Sequence, residues 1–423
     1  MYITETLSNG LRIITHEMKG RNSVAVGLWV GVGGRYEPLP QKGAAHLLEH
    51  MVFKGSRHYS CEEIKSSIEG IGGTLNAFTS EEQTCYYAKI PAQYFKSTFD
   101  VLSDMVFSPL LQTPDLKKEK TVIIEEIKMY HDLPQYYVLE IMEGLVWPHH
   151  SLGKSLAGTE ETVSNMHRPH LIKFHDTFYK TNNVVISVCG KVSHREVVRL
   201  AKKKCGLLKR GSPSHFEPFL QKQTKPSFKS ERRSIEQMHL ALGLTGYDEY
   251  HPDRYGLSLI SIILGGNMSS RLFTEIREKR GWAYSVSSSY KMLHDTGLFL
   301  IRAGVDNRKI GETVDLVLAE LEKMSTKEVA PKELQRAKDY LVGQFLLGLE
   351  DTMDHMLWIG EEMISKNRVA NLKTIIQKVK SLTASDLKRI ARDILRLERY
   401  NLAVIGPLTD TLESQLKKSL AIN

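Results

Sequence analysis

The stretch Gly43-Ala-Ala-His-Leu-Leu-Glu-His-Met-Val-Phe-Lys-Gly55 decides the reading of this 423-residue chain. Apolar residues recur in it at helical spacing, so residues 43–53 are expected to form a helix. On that helix His46 and His50 stand one turn apart and project from one side, with Glu49 on the same side. Two neutral imidazoles and a carboxylate are a common ligand set for catalytic zinc, which keeps one position for water. A glutamate inside the pair, in the order H-x-x-E-H, is placed to take a proton from that water. The bland alternative is an exposed helix that happens to carry two histidines and a glutamate. Both intervening residues are Leu, however, and Ala44, Ala45, Met51, Val52 and Phe53 surround the triad. Charged and imidazole groups in so apolar a helix are costly unless they bind something, which favours the metal.

A third ligand is needed. The helix expected at 114–131 offers Glu119, Glu125 and Glu126, with Glu140 beyond it. Glu126 follows the apolar run Val122-Ile123-Ile124, Glu125 points about 100° away from it, and Glu119 lies two turns earlier on its face. Periodicity alone does not choose among them.

Around these helices the chain alternates strands and helices. Residues 11–33 read as strand, entered by the turn signal Asn9-Gly10 and broken by Gly31, Gly33 and Gly34. Strands are expected near 72–79 and 83–90, helices at 91–107 and 114–131 with Thr113 as N-cap, and a strand at 183–190. Residues 211–232 hold Gly211, Pro213, Pro218 and Pro226 among polar residues and read as a linker. The second half then repeats the first at offsets of about 213 to 217 residues: strand 238–244, helix 253–264, strands 284–290 and 297–304, and strand 400–405. The expected fold is α+β: two homologous α/β domains, 1–210 and 233–423, each a mostly antiparallel sheet flanked by helices.

Composition narrows the classes. The chain is 41% hydrophobic and 25% charged, as globular proteins are. Its net charge of +8 is spread out, and the run Lys202-Lys203-Lys204 with Lys209-Arg210 reads as a solvated face, so no nucleic-acid partner is expected. No 18-residue apolar stretch and no secretory signal are seen, so a cytoplasmic protein without a membrane span is expected; a mature organelle protein would read the same. Cys61, Cys85, Cys189 and Cys205 form no C-x-x-C pair and are expected as free thiols. His149-His150 reads as a loop pair. Gly31-Val-Gly-Gly-Arg35 lacks a following G-K-[ST] and reads as a turn, not a phosphate loop.

Four motifs in order resemble those of the inverted-zincin peptidases of the pitrilysin, insulysin and mitochondrial processing peptidase family. Residues 43–55 look like its active-site helix. Gly72-Gly73-Thr-Leu-Asn-Ala-Phe-Thr-Ser80 looks like its substrate-edge strand, and Glu119-Lys-Thr-Val-Ile-Ile-Glu-Glu-Ile127 like its third-ligand helix. Residues 265–285 resemble the signature of its second half, with Trp282 where Leu is common. The resemblance covers nearly the whole chain. It implies Glu126, 76 residues after His50, as third ligand, and Glu119 as a second carboxylate that supports catalysis. It puts Arg277 and Tyr284 on the pair that contacts bound peptide, and Asn76, Ala77 and Phe78 on the edge where substrate adds as a strand. It further implies one Zn²⁺ per chain, endopeptidase activity on unstructured or presequence-like peptides, and two domains forming a bowl-like half of a clamshell. A non-catalytic or heteromeric processing-peptidase subunit is the alternative. The regulatory subunit of that pair carries a long glycine-rich loop where this chain has only Gly265-Gly266-Asn267-Met268.

Aligning the two halves sets Leu259 opposite His46, Ile262 opposite Glu49 and Ile263 opposite His50, with Gly343 near the place of Glu126. The second copy therefore lacks the ligands. Larger relatives fuse four such units, so a homodimer of this two-unit chain is expected.

Overall fold

A computed structural model describes residues 2–422. The early strands are β1 (Tyr2–Thr6), β2 (Arg12–Glu17), β3 (Ser23–Val30), β4 (Thr74–Thr79), β5 (Thr84–Pro91) and β6 (Val184–Gly190). The early helices are α1 (Ala44–Val52), α2 (Cys61–Glu69), α3 (Phe95–Phe107), α4 (Thr113–Asp132) and α5 (Pro134–Val146). Thr113, expected as the cap of α4, is its first helical residue. The later strands are β7 (Ser227–Arg232), β8 (Gln237–Gly246), β9 (Ala283–Met292), β10 (Gly297–Asp306) and β11 (Asn401–Gly406).

One sheet runs β1-β2-β6-β3-β5-β4, the other β7-β11-β8-β10-β9. Among the described residues, only β2 and β6 pair in parallel in the first and only β7 and β11 in the second. Removing β1 leaves two five-stranded sheets of the same order and the same pairing sense. The repeat read from the sequence is thus a repeat of topology, and each sheet is mostly antiparallel as expected.

The chain forms two compact units. The first gathers residues up to Lys128, Ser155–Glu217 and Leu346–Ala370; the second gathers Met129–Lys154, Pro218–Phe345 and Asn371 onward. Two differences from the contiguous division 1–210 and 233–423 follow. The last six residues of the expected linker 211–232 are strand β7, paired in parallel with β11. And each sequence half places one helix in the other unit: α5 belongs to the second, Thr352–Lys366 to the first.

The cores explain this exchange. Both faces of the first sheet are covered, so β3 is buried from Val24 to Val30. Val24, Val26, Leu28 and Val30 join the core shared with α1 and α3, whereas Ala25 and Trp29 face Met356, Ile359 and Met363 of the helix Thr352–Lys366. That helix lies so close that a Cβ on Gly360 would stand 2.0 Å from Trp29 Nε1. In the second unit Val138, Ile141, Met142 and Val146 of α5 pack with Ala241, Leu298 and Ala403. A Cβ on Gly243 would stand 2.4 Å from Met142 Sδ. Each sheet thus takes its second covering helix from a distant segment, with a glycine at the close approach.

Candidate metal centre

α1 begins where it does because Gly43 adopts φ +95°, a left-handed conformation, and a Cβ there would stand 2.5 Å from Ala157 O. The buried Glu37 carboxylate accepts from Gly43 N (3.0 Å) and Ala45 N (2.6 Å), filling donors left open at the helix start. Burial pushes its carboxyl up; Lys42, 3.3 Å away, and the two amides pull the other way. Leu47, Leu48, Met51 and Val52 are fully buried, each stabilising the helix on its core by about 1.5–3 kcal/mol. His46, Glu49 and His50 occupy the remaining, partly buried face.

α4 runs alongside in the same unit and buries Leu116, Glu119, Ile123 and Ile127. His46 Nε2 and His50 Nε2 each lie 3.9 Å from one oxygen, Glu126 Oε2. One ligand atom from each of the three residues falls within 4.8 Å of the others, a spacing one ion can bridge. Burial, then the neighbouring His50, pushes the His46 imidazole down to about 4, which keeps it neutral as a ligand must be. The other nitrogen of His50, Nδ1, is 3.2 Å from Glu119 Oε2, and Lys54 Nζ is 2.7 Å from Glu119 Oε1. A carboxylate on the far ring nitrogen is the usual outer partner of a metal-bound histidine. Two imidazoles, one carboxylate and this outer carboxylate fit a zinc ion by the chemistry of the donor set.

Glu49 lies between the histidines, its carboxyl pushed up by burial. Thr79 Oγ1 donates to its Oε2 at 2.5 Å. Of the other carboxylates weighed from the sequence, Glu125 faces out and pairs with Lys128 at 2.9 Å, and Glu140 lies in the second unit, 3.7 Å from His131. Asn76, Ala77 and Phe78 lie on β4, which among the described residues pairs only with β5 and leaves one edge open. Phe78 meets Trp29 edge-on at 5.6 Å.

Arg277 and Tyr284 come together in the second unit. Arg277 sits on a π-helical turn, Phe273–Glu278, a form often found at functional sites. Its guanidinium lies 4.8 Å from the Phe273 ring and 5.5 Å from that of Tyr284. Both residues line a cleft of about 730 Å³ with Trp282, Asn307 and Arg308, and Tyr284 is 75% exposed. Sequence reasoning missed Lys54 and Thr79, although both lie in the quoted motifs. Lys54 is four residues past His50, and that spacing was the available signal.

A helix carrying H-x-x-E-H opposite a glutamate on a second helix is the arrangement of the inverted zincins. Residues 12–160 match the family described as Insulinase (Peptidase family M16), and residues 165–341 match the Peptidase M16 inactive domain. An uncharacterized zinc protease of Bacillus subtilis is 35% identical over 406 residues, 95% of this chain and 97% of its own length. Another, from Streptomyces coelicolor, is 35% identical over 422 residues, 98% of this chain and 92% of its own. The crystal structure of a protease from Helicobacter pylori matches with a TM-score of 0.92 at 25% identity, over 96% of this chain and 99% of that one. A Pseudomonas fluorescens structure described as a peptidase M16 inactive domain shares the fold, with a TM-score of 0.90 at 20% identity over 96% and 98% of the two chains. The chain belongs to peptidase family M16, and it is a relative of proteins named zinc proteases. Among the described residues no helix is long and apolar enough to cross a membrane.

Proposed function

We propose that this protein is a zinc-dependent endopeptidase acting on extended peptides, with one zinc per chain held by His46, His50 and Glu126. The observation that supports it most is the approach of both Nε2 atoms to one Glu126 oxygen beside Glu49. Zinc, when bound, supplies a Lewis acid and makes a water acidic enough to lose a proton near neutral pH. Glu49 accepts a proton from the attacking water and returns it to the departing amide nitrogen. Glu119, backed by Lys54, fixes the His50 ring. The open edge of β4 around Asn76, Ala77 and Phe78 receives the substrate as an added strand through main-chain hydrogen bonds. Arg277 and Tyr284 serve as the substrate clamp, Tyr284 as donor to the developing oxyanion and Arg277 on backbone or carboxyl oxygens.

Strand addition requires an extended substrate, so an unfolded protein is cut and its tightly folded form is spared. The chain acts as a homodimer in the cytoplasm, and light scattering showing a fully active 48 kDa species would contradict the dimer. The test of the activity is a mass map of peptide digests by the purified chain, with and without a chelator. Chelator-sensitive internal cleavage is expected. No cleavage by the zinc-loaded chain alone would favour the non-catalytic or heteromeric subunit instead.

A further inference from the structure

We propose that Thr79 is the positioning residue for Glu49, held in place by the glycine-rich loop 31–35. This rests on the reading of Glu49 as general base. Thr79 is the last residue of β4, paired with Thr84 of β5, and its hydroxyl points at the carboxylate of α1. Among the described residues no other side chain or amide donates to the Glu49 carboxylate. A glutamate side chain turns about three bonds, and ordering it costs entropy at each turnover unless something holds it. Thr79 ties down one oxygen, Oε2, and leaves Oε1 for the travelling proton.

The position of Thr79 is itself fixed from behind. Ser80 N donates to Gln83 O (2.8 Å), closing the turn between β4 and β5. The segment after β3 then grips that turn: Gly34 N donates to Ser80 O (3.0 Å), Arg35 N to Glu81 O (2.7 Å), and Thr84 Oγ1 to Val32 O (2.9 Å). Arg35 adds an ion pair to Glu82 at 2.7 Å. Glycine is required at position 33, because a Cβ would stand 2.1 Å from Ser80 O and 2.7 Å from the carbonyl carbon of Glu81. Both are backbone atoms that cannot swing away. The run Gly31-Val-Gly-Gly-Arg35, plain turn as it reads in the sequence, is a clamp on the strand end that carries Thr79.

The experiment compares Thr79→Val, which keeps the shape and loses the donor, with Thr79→Ser, which keeps the donor. Zinc content, KM and kcat are read on an unstructured peptide. Thr79→Val is expected to lose on the order of 10- to 100-fold in kcat, the scale of a misplaced catalytic group, with zinc and KM unchanged. Thr79→Ser is expected to stay within about threefold of the parent. In a Glu49→Gln background Thr79→Val should cause no further loss, because it acts through that carboxylate. Undiminished kcat in Thr79→Val, a Ser variant as slow as the Val variant, or a further loss in the double variant would each overturn the inference. If Thr79→Val fails to fold by circular dichroism, Thr79→Ala takes its place with the same expected results. Full activity in Glu49→Gln would instead overturn the reading of Glu49 itself, so the two failures are distinguishable.

Discussion

Two helices, α1 and Arg254–Gly265, hold corresponding places in the repeat, and they differ in what they do with their outer face. Arg254–Gly265 is buried without a break from Gly256 to Gly265, with Leu259, Ile262 and Ile263 where α1 has His46, Glu49 and His50. α1 buries only its apolar side, and its polar three remain partly exposed. The same fold position thus serves as pure core in one unit and as half core, half site in the other. At Gly343, near the repeat position of Glu126, a Cβ would meet nothing within 4 Å, so there too the second copy offers space and no ligand. A repeat can keep its topology while only one copy carries a metal set, because the fold needs the inner face alone.

The comparison breaks most visibly if the two helices are truncated at equivalent positions. Leu259→Ala should cost about 2–5 kcal/mol, as for a fully buried leucine. His46→Ala, in chelated protein so that metal linkage does not enter, should change stability by less than about 1 kcal/mol. Its Nδ1 is already buried without a partner, so little is lost with it. Urea melts of the two variants decide this; equal losses would mean that both helices are simply core.

A smaller effect sharpens the division of labour on α4. Glu119→Ala should weaken zinc binding by about 10- to 100-fold without abolishing it, since Glu119 orients His50 and does not bind the metal. Competition with a chromogenic chelator measures this. Loss as complete as in Glu126→Ala would make Glu119 a ligand.

These two glutamates mark where sequence reasoning reached its limit. The H-x-x-E-H helix was legible because its spacing is local. Glu119 and Glu126 share one helix face two turns apart, so periodicity could not rank them, and the resemblance chose. In the fold both face the site: Glu119 meets Nδ1 of His50, and Glu126 approaches Nε2. The exchange of α5 and Thr352–Lys366 was illegible, since their partners are Gly243 and Gly27-Trp29, far away in sequence. Strand β7 was hidden in polar Ser227–Arg232, which buries none of its residues fully and lies at the end of a sheet. The clamp at 31–35 could not be told from a turn without the backbone of 80–82 that it grips.

The smallest expected effect concerns the core beneath α1. Tyr86 and Tyr179 are buried with their hydroxyls 2.8 Å apart, and burial raises both above the ordinary tyrosine value. A raised folded value means stability that is complete below about pH 10, where the unfolded tyrosine starts to ionise, and lost as pH rises toward the folded value. Tyr179→Phe should therefore show a shallower alkaline loss of stability than the parent, read as melting temperature from pH 9 to 11. An identical alkaline slope would contradict it.

The central claim is that one unit holds the metal and that Glu49 acts as base and not as ligand. Zinc content and peptide turnover measured in the same samples of the parent chain, His50→Ala and Glu49→Gln test it most directly. The account predicts about one zinc per chain in the parent and in Glu49→Gln, turnover reduced about 10²- to 10⁴-fold in Glu49→Gln, and neither zinc nor turnover in His50→Ala. Full zinc in His50→Ala, or parental turnover in Glu49→Gln, would contradict it.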